Sequence, residues 1–465
     1  MTTIAVVGAG FSGTLLTLHL LRHCPPSTRL IMIERNNQFG RGLAYSTGNP
    51  NHFLNVPAGR MSAFHDKPND FVEWLQRMPP AEGSEGQFTA QSFVPRRLFG
   101  AYIRALLNEE IKRSKRERLE LIRGDVLTIN RTLQPMVLGL DRDRAVTADL
   151  AVLAIGNFPP EPMPVADASF YDTAFYRADP WSPNALTDLD PARPVLLIGT
   201  GLTMVDAVLS LLDQGHTGPI HAVSRRGLLP RPHAAGPLPP SEHEPFPTVV
   251  TALLRFLRKE AARAATHGGG WQAIVDELRP FTVDVWQAMS LEDRRRFLRH
   301  ARPWWDVHRH RMAGPVADRI DVARASGQLR ITPGRIRGYN VGDSEVEVLV
   351  RPKQRDEITP IRVARVVNCS GPGADFDRIQ DRLIRSLLDE GSVRPDALRL
   401  GLDVTGNCAL LNRNGSISRR LFAVGPVTKG AFWEITAVPD IRRQCEKLAE
   451  YLAAIVKARP LPVPA

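Results

Sequence analysis

The chain has 465 residues, 43% of them hydrophobic and 23% charged, which is the composition of folded globular domains and room for about two or three of them. Its net charge of +11 suits anionic small molecules, but the basic run Arg294-Arg295-Arg296-Phe297-Leu298-Arg299 lacks the interleaved aromatics of a nucleic-acid surface. Cys24, Cys369, Cys408 and Cys445 are too dispersed for a redox pair, a zinc site or a disulfide framework.

The first apolar stretch, from Ile4 to Leu21, is interrupted by Gly8, Gly10 and Gly13 and has no charged leader, so it is neither a signal peptide nor a membrane span. A cytoplasmic chain with no metal, no membrane and no nucleic-acid partner is expected. Ile4-Ala5-Val6-Val7 reads as a short buried strand, followed by Gly8-Ala9-Gly10-Phe11-Ser12-Gly13 and a helix to about His23. This is the order of a dinucleotide-binding turn. Gly8 permits the tight turn, Gly10 lets a diphosphate approach the backbone, and Gly13 lets the helix pack on the strand. The helix N-terminus offers free N–H groups and positive dipole to the phosphates. A second strand over 30–33 ends at Glu34, where a carboxylate accepts bonds from ribose hydroxyls. Residues 119–146 read as a hairpin or meander, and the strand from Leu150 to Ile155 ends in Gly156. Residues 159–194, rich in proline and aromatics, read as a crossover linker.

A second unit opens with Val195-Leu196-Leu197-Ile198, then Gly199-Thr200-Gly201-Leu202-Thr203-Met204 and a helix to about Leu212. Met204 replaces the third glycine, so the helix must pack less closely there. Its next strand, over 220–223, ends at Ser224-Arg225-Arg226 rather than at an acid. Arginines at that place suit the 2′-phosphate of NADPH, and NADH stays open. A proline-rich loop over 230–247 leads into helical segments over about 248–265 and 290–302, the latter opened by the capping pattern Ser290-Leu291-Glu292-Asp293. A further meander over 329–363 precedes the strand that ends at Gly371. The run Leu421-Phe422-Ala423-Val424-Gly425-Pro426 and an amphipathic helix over 438–456, with Pro439 tolerated in its first turn, close the chain.

These elements predict an α/β protein with two Rossmann-like dinucleotide-binding domains, the two-dinucleotide-binding flavoprotein fold, and a helical insertion in the second. Expected boundaries are 1–185 for the first part of an FAD domain, 190–372 for an NAD(P)H domain with its insertion at about 246–326, and 373–465 for the return to the FAD domain. Two such units hold FAD and NAD(P)H face to face for hydride transfer. The FAD contacts expected are Gly8, Gly10, Gly13, Glu34, Arg41, Met61, Ser62, Val126, Gly425 and Thr436. Pro426 stands where an aspartate often binds the ribityl chain. The helix start at 436–438 aims its dipole at the flavin. For NAD(P)H the set is Gly199, Gly201, Thr203, Arg225 and Arg226.

The runs Phe39-Gly40-Arg41-Gly42-Leu43-Ala44-Tyr45, Leu54-Asn55-Val56-Pro57-Ala58-Gly59-Arg60-Met61-Ser62, Phe93-Val94-Pro95-Arg96-Arg97 and Trp433-Glu434-Ile435-Thr436-Ala437-Val438-Pro439, with both glycine turns, carry a resemblance over most of the chain. It resembles a bacterial group of FAD/NAD(P)-binding flavoprotein monooxygenases that includes FAD-dependent urate hydroxylases and nitrosuccinate-forming amine oxygenases. The resemblance implies an oxidoreductase that consumes NAD(P)H and O2, with urate hydroxylation to 5-hydroxyisourate through a flavin C4a-hydroperoxide as the leading reaction, a step of purine degradation. N-oxygenation of an amino acid or amine, of the aspartate-to-nitrosuccinate type, is the alternative. A non-catalytic redox- or nucleotide-sensing flavoprotein is a third reading.

Three residues are the catalytic candidates. Arg60 sits on the glycine- and proline-rich segment expected under the flavin ring and is either an anion contact or a structural ion pair. His308 belongs to the dense run from Trp304 to Arg311, which either walls a purine pocket, with donors from His308 or Arg311, or packs its tryptophans in a core. Glu434 either faces the flavin or caps the last helix.

Overall fold

The computed structural model describes residues 1–36, 38–79, 87–114, 118–233, 245–266 and 270–458. Strand β1 (Thr3–Val7), helix α1 (Phe11–His23) and strand β2 (Arg29–Glu34) form the first β-α-β unit, with β1 and β2 parallel. Helices α2 (Asp70–Gln76) and α3 (Arg96–Arg113) follow. Strand β3 (Leu119–Arg123) then pairs parallel to β2 at the sheet edge, while β4 (Val126–Asn130), β5 (Met136–Leu140) and β6 (Ala145–Ala148) form a separate antiparallel sheet. Only the later part of 119–146 is therefore a meander. An edge strand buried on one face alternates just as a meander strand does, so periodicity does not separate them. Strand β7 (Leu150–Leu153), buried throughout, pairs parallel to β1.

The chain crosses over through β8 (Tyr176–Arg177) into β9 (Val195–Ile198), α4 (Leu202–Asp213) and β10 (Ile220–Ser224), the second β-α-β unit. Most of the proline-rich loop that follows, residues 234–244, lies outside the described residues. Helices α5 (Val250–Ala265), α6 (Trp271–Leu278), α7 (Thr282–Ala288), α8 (Leu291–Arg296) and α9 (Arg302–Arg309) pack around Leu253, Leu257, Ile274, Trp286, Phe297 and Trp305. Ser290 caps α8, its Oγ accepting the Asp293 N–H at 3.1 Å. The helix expected to stop at 302 instead continues, through one widened turn over Phe297–Ala301, into α9. Pro303 falls in the first turn of α9, where its missing N–H costs nothing. Helix α10 (Gly314–Ala325) packs Val316, Ala317 and Ile320 with Met204 and Val205 of α4, so it belongs to the helical layer of the second sheet rather than to the insertion.

Strand β11 (Leu329–Val341) runs parallel to β10 in its first half and then turns out as the first strand of a meander with β12 (Val346–Pro352) and β13 (Thr359–Val363). Strand β14 (Arg365–Asn368) returns between β9 and β8. Helix α11 (Arg382–Asp389), β15 (Ala409–Leu411), β16 (Ile417–Ala423), the short α12 (Lys429–Phe432) and α13 (Val438–Ala458) complete the chain. The first sheet has six strands in the order β15-β16-β7-β1-β2-β3, and the second has seven in the order β13-β12-β11-β10-β9-β14-β8. Helices α1 and α13 cover one face of the first sheet through Leu15, Leu18, Leu448 and Leu452. The antiparallel sheet and α11 cover the other. No helix among the described residues is long and apolar enough to cross a membrane. All four cysteines are free and buried.

Candidate functional site

Gly8 has φ +102°, and a Cβ there would lie 2.4 Å from the Ala154 carbonyl oxygen; one on Gly13 would lie 1.9 Å from the Gly8 oxygen. Both positions therefore require glycine for the turn and for helix-on-strand contact. Gly10 has more room: its nearest neighbour is the Gly42 Cα, 3.4 Å from an added Cβ. The segment after β2 folds back over the turn here, with the Gly40 N–H donating to the Ala9 oxygen at 2.9 Å. Glu34 accepts the Ala9 N–H on Oε2 and the Asn36 N–H on Oε1, each at 2.9 Å, which fixes the carboxylate at the end of β2. Helix α1 has no side-chain cap at Gly10, and the nearby Arg41 keeps a buried Nε without a partner. An uncapped helix start and an unpartnered guanidinium beside a glycine turn fit a dinucleotide diphosphate.

At the other end of the turn, Gly425 has φ +79°, and a Cβ on it would lie 2.5 Å from Ser12 Oγ. Its N–H donates to Gln444 Oε1 at 2.7 Å, and Pro426 follows in a 3-10 turn. Met61 is buried in the α1/α13 core. Ser62 is also buried, but its hydroxyl donates to the Lys67 oxygen at 2.6 Å and its carbonyl accepts from Arg442 at 2.8 Å, so it holds its own loop against α13. Val126 packs in the core beneath the sheet with Ile31 and Ile33. Thr436 is exposed just before α13. Arg60 is exposed as well, and its guanidinium makes no hydrogen bond or ion pair among the described residues. Their two segments meet because Ala58 and Met61 pack with Val438 and Ile441.

In the second unit Gly199 has φ +109°, and its added Cβ would lie 2.5 Å from the Cys369 oxygen, whereas nothing lies within 4 Å at Gly201. Thr203 is half-buried in the first turn of α4, and Met204 is fully buried. Ser224 ends β10 with its hydroxyl 2.9 Å from Thr200 Oγ1 and accepting the Gly227 N–H at 3.0 Å. Arg225 is exposed and Arg226 half-exposed, with no ion pair or hydrogen bond for either among the described residues.

Contacts at two seams hold the units together. At one, Arg96, at the start of α3, is bidentate to Asp206 of α4 at 2.6 and 3.1 Å. His52 Nε2 lies 3.0 Å from the Asp206 carbonyl and from Ser210 Oγ, Asn49 donates to Asp213 at 2.8 Å, and His233 Nε2 lies 3.0 Å from the Asn55 oxygen. At the other, Phe158 pairs with Gly373. A cleft of about 80 Å³ lies there, lined by Gly156 and Asn157 beyond β7, Ser370 and Gly371 beyond β14, Pro426 beyond β16, and Arg302 and Lys429. The C-terminal ends of both parallel sheets thus converge on one cleft, the usual ligand position in open α/β sheets.

The aromatic-basic run is mostly internal. Trp304 is exposed, but Trp305 is buried and donates its indole N–H to Glu434 Oε1 at 2.9 Å. Arg309 donates to Glu434 Oε2 at 3.0 Å, and Arg279 approaches the same oxygen at 3.9 Å. Burial pushes the Glu434 carboxyl up, but Arg309, His310 and Arg279 with the Trp305 bond outweigh it and hold it at about 2. Arg311 is buried too, with its donors on Asp276, on the Gln272 oxygen and on the His308 oxygen. The His308 ring stacks on Trp271 at 5.9 Å, its Nδ1 is buried without a partner, and burial lowers its pKa. The run therefore does not wall a purine pocket through Trp305 or Arg311, because their polar atoms are engaged in docking the insertion. The Glu434 carboxylate is likewise taken up by Trp305 and Arg309 rather than capping α13, and so joins the insertion to the C-terminal segment.

The sequence reading passed over Arg96 with Asp206, and Lys429 with Arg302. A lone lysine in the apolar, glycine-containing stretch 421–433 was the available signal for Lys429. No group of three or more His, Cys, Asp or Glu among the described residues could hold a metal ion.

Residues 5–158 match the profile of a family described as FAD-NAD(P)-binding. No curated protein sequence matches the chain. Among solved structures it is similar to an ornithine hydroxylase from Pseudomonas aeruginosa, with 14% identity over 97% of this chain and 99% of that one and a TM-score of 0.63. The L-lysine 6-monooxygenase from Pseudomonas syringae is similar at 13% identity over 98% and 99%, also with a TM-score of 0.63. An ornithine N-hydroxylase from Kutzneria sp. 744 is similar at 15% identity over 98% and 99%, with a TM-score of 0.61. At these identities the likeness establishes the architecture, and the chain has the two-dinucleotide-binding flavoprotein fold.

Proposed function

We propose that the chain is an FAD-dependent monooxygenase that uses NAD(P)H and O2 and oxygenates the nitrogen of an amino acid or other amine. The observation that carries this reading is the cleft at which the C-terminal ends of both parallel sheets meet, in a fold shared end to end with an ornithine N-hydroxylase and a lysine 6-monooxygenase. Bound FAD, reduced by the nicotinamide, supplies the oxygen-activating chemistry. The chain's residues supply binding and orientation. Glu34 holds the adenosine ribose, and Arg41 with the start of α1 neutralises the diphosphate. The start of α13 sets positive dipole against the flavin edge. Arg225 and Arg226 take the 2′-phosphate of NADPH. Arg60, open and unpaired, contacts an anionic substrate group. The urate reading has less support, since Arg311, one of the two donors it drew from the insertion, is engaged by Asp276 and Gln272.

The purified protein is expected to be yellow and to be bleached by NADPH under anaerobic conditions. Coenzyme oxidation should then rise with a member of an amino-acid and amine panel, giving an N-oxygenated product with one atom from O2. Urate-stimulated oxidation with 5-hydroxyisourate as product would overturn the nitrogen assignment. A flavin that NAD(P)H leaves oxidised would favour the sensing flavoprotein.

A further inference from the structure

We propose that Lys429 and Arg302 form a binding site for a carboxylate in the cleft between the two sheets, which makes the substrate an acid-bearing amine; this rests on the N-oxygenase reading for the substrate's role but not for the binding itself. Both residues line the cleft. Both also lie over one ring: Lys429 Nζ is 4.9 Å and the Arg302 guanidinium carbon 5.6 Å from the Trp433 centroid. Trp433 stacks in turn on Trp286 at 4.9 Å, and its indole Nε1 is buried with no acceptor.

The charges around the site do not balance. Asp306 is paired with Arg302 at 3.3 Å, Glu434 with Arg309 at 3.0 Å, and Asp440 with Arg279. Each carboxylate of this cluster therefore has its own arginine, and Lys429 is the cation left over. Among the described residues it has no hydrogen bond and no ion pair. An unpaired cation withdrawn from water is costly, and proteins retain one where a ligand completes the pair. Burial, with the neighbouring Arg302 charge, brings the Lys429 amine down to about 8 against the opposing pull of Asp306 and Glu434. His310 is the other titratable neighbour, and its own burial keeps it largely neutral near pH 7. One excess positive charge and a second guanidinium whose Nη atoms lie outside its pair with Asp306 together match a single carboxylate rather than a dianionic phosphate.

The test titrates the flavin-loaded protein with butyrate, a monocarboxylate that carries no amine, by calorimetry. Saturable binding is expected at pH 7. Lys429→Met should weaken it about tenfold, the loss of one charge-assisted hydrogen bond, and Arg302→Gln several-fold. Wild-type binding should weaken above pH 8 as the lysine loses its proton, whereas Lys429→Arg should bind equally at pH 7 and pH 9.5. Flavin content should be unchanged in all three variants. Equal butyrate affinity in wild type, Lys429→Met and Arg302→Gln would overturn the proposal. So would loss of flavin from both Lys429→Met and Arg302→Gln, which would give the cations to the cofactor. None of these readouts needs turnover, so a wrong N-oxygenase assignment shows separately, as binding without product.

Discussion

At the scale of single residues, the three glycines of the first turn differ in what makes them glycine. Gly13 is forced by its own fold, since an added methyl meets the Gly8 oxygen at 1.9 Å. Gly10 is not, because its added methyl would meet only Gly42 at 3.4 Å. Gly13→Ala should therefore destabilise the protein by about 2–3 kcal/mol with or without flavin, an overpacking cost seen in denaturant melts. Gly10→Ala should melt close to wild type yet lose most of its bound flavin, since the methyl stands where the diphosphate approaches. Full flavin occupancy in Gly10→Ala would remove the diphosphate from that position. The second turn rests on a different feature. Ser224 ends β10 with its hydroxyl held by Thr200, leaving Arg225 and Arg226 without partners. Arg225→Ala combined with Arg226→Ala should raise KM for NADPH about tenfold more than KM for NADH, the weight of a charge-assisted phosphate contact. An equal rise for both coenzymes would dismiss the phosphate role.

At the scale of elements, the two β-α-β units were legible because strand, glycine turn, helix and second strand fall in register within a few residues. The insertion was legible only as helix. Its run from Trp304 to Arg311 carries aromatic and basic side chains that serve a binding wall and a docking helix equally well. What distinguishes the two is the partner: Trp305 and Arg309, four residues apart and so on one face of α9, reach the same carboxylate of Glu434, a contact across more than a hundred residues that no local pattern reveals. Glu434→Gln should thus cost about 3–5 kcal/mol in denaturant melts, because it leaves Arg309 buried without its counter-charge. A loss of turnover at unchanged stability would return Glu434 to the catalytic candidates. Helix α1 carries a second element-scale consequence. His19 is buried against Phe64, and burial, then the Arg22 and His23 charges, lower its pKa to about 4. The unfolded chain therefore binds the proton more readily. This contribution to stability is present above the unfolded value near 6.5 and is lost as pH falls from there toward 4. His19→Gln should flatten the fall in Tm across that window, and an equally steep fall would mean that other groups set the acid limit.

At the scale of the whole molecule, hydride transfer requires that the second unit keep a fixed pose against the first. Two thin strands of chain connect them at the Phe158–Gly373 pairing, which leaves rotation about that seam to be stopped elsewhere. The stop is the contact of α4 with the segment around His52 and with the start of α3. The bidentate Arg96–Asp206 pair at its centre is mostly buried, with side-chain exposures of 15% and 7%. None of this was readable from sequence. Arg96 stands beside Arg97 in the run Phe93-Val94-Pro95-Arg96-Arg97 with nothing local to pair it, and Asp206 occupies an otherwise apolar helix where a buried acid makes sense only once its partner is known. Because a buried pair is worth less than the charge it leaves behind when broken, each single variant should be worse than the double. Asp206→Ala should destabilise the contact by about 3–5 kcal/mol, while Arg96→Ala with Asp206→Ala should recover part of that, a coupling read from a double-mutant cycle of melts. The functional readout is the rate at which NADPH reduces the bound flavin in rapid mixing. Asp206→Ala should slow it at least tenfold with flavin content unchanged, since orientation rather than cofactor binding is lost. Reduction at the wild-type rate would show that the nicotinamide finds the flavin without this stop, and that the pose of the two sheets is set by the cleft and its ligands instead.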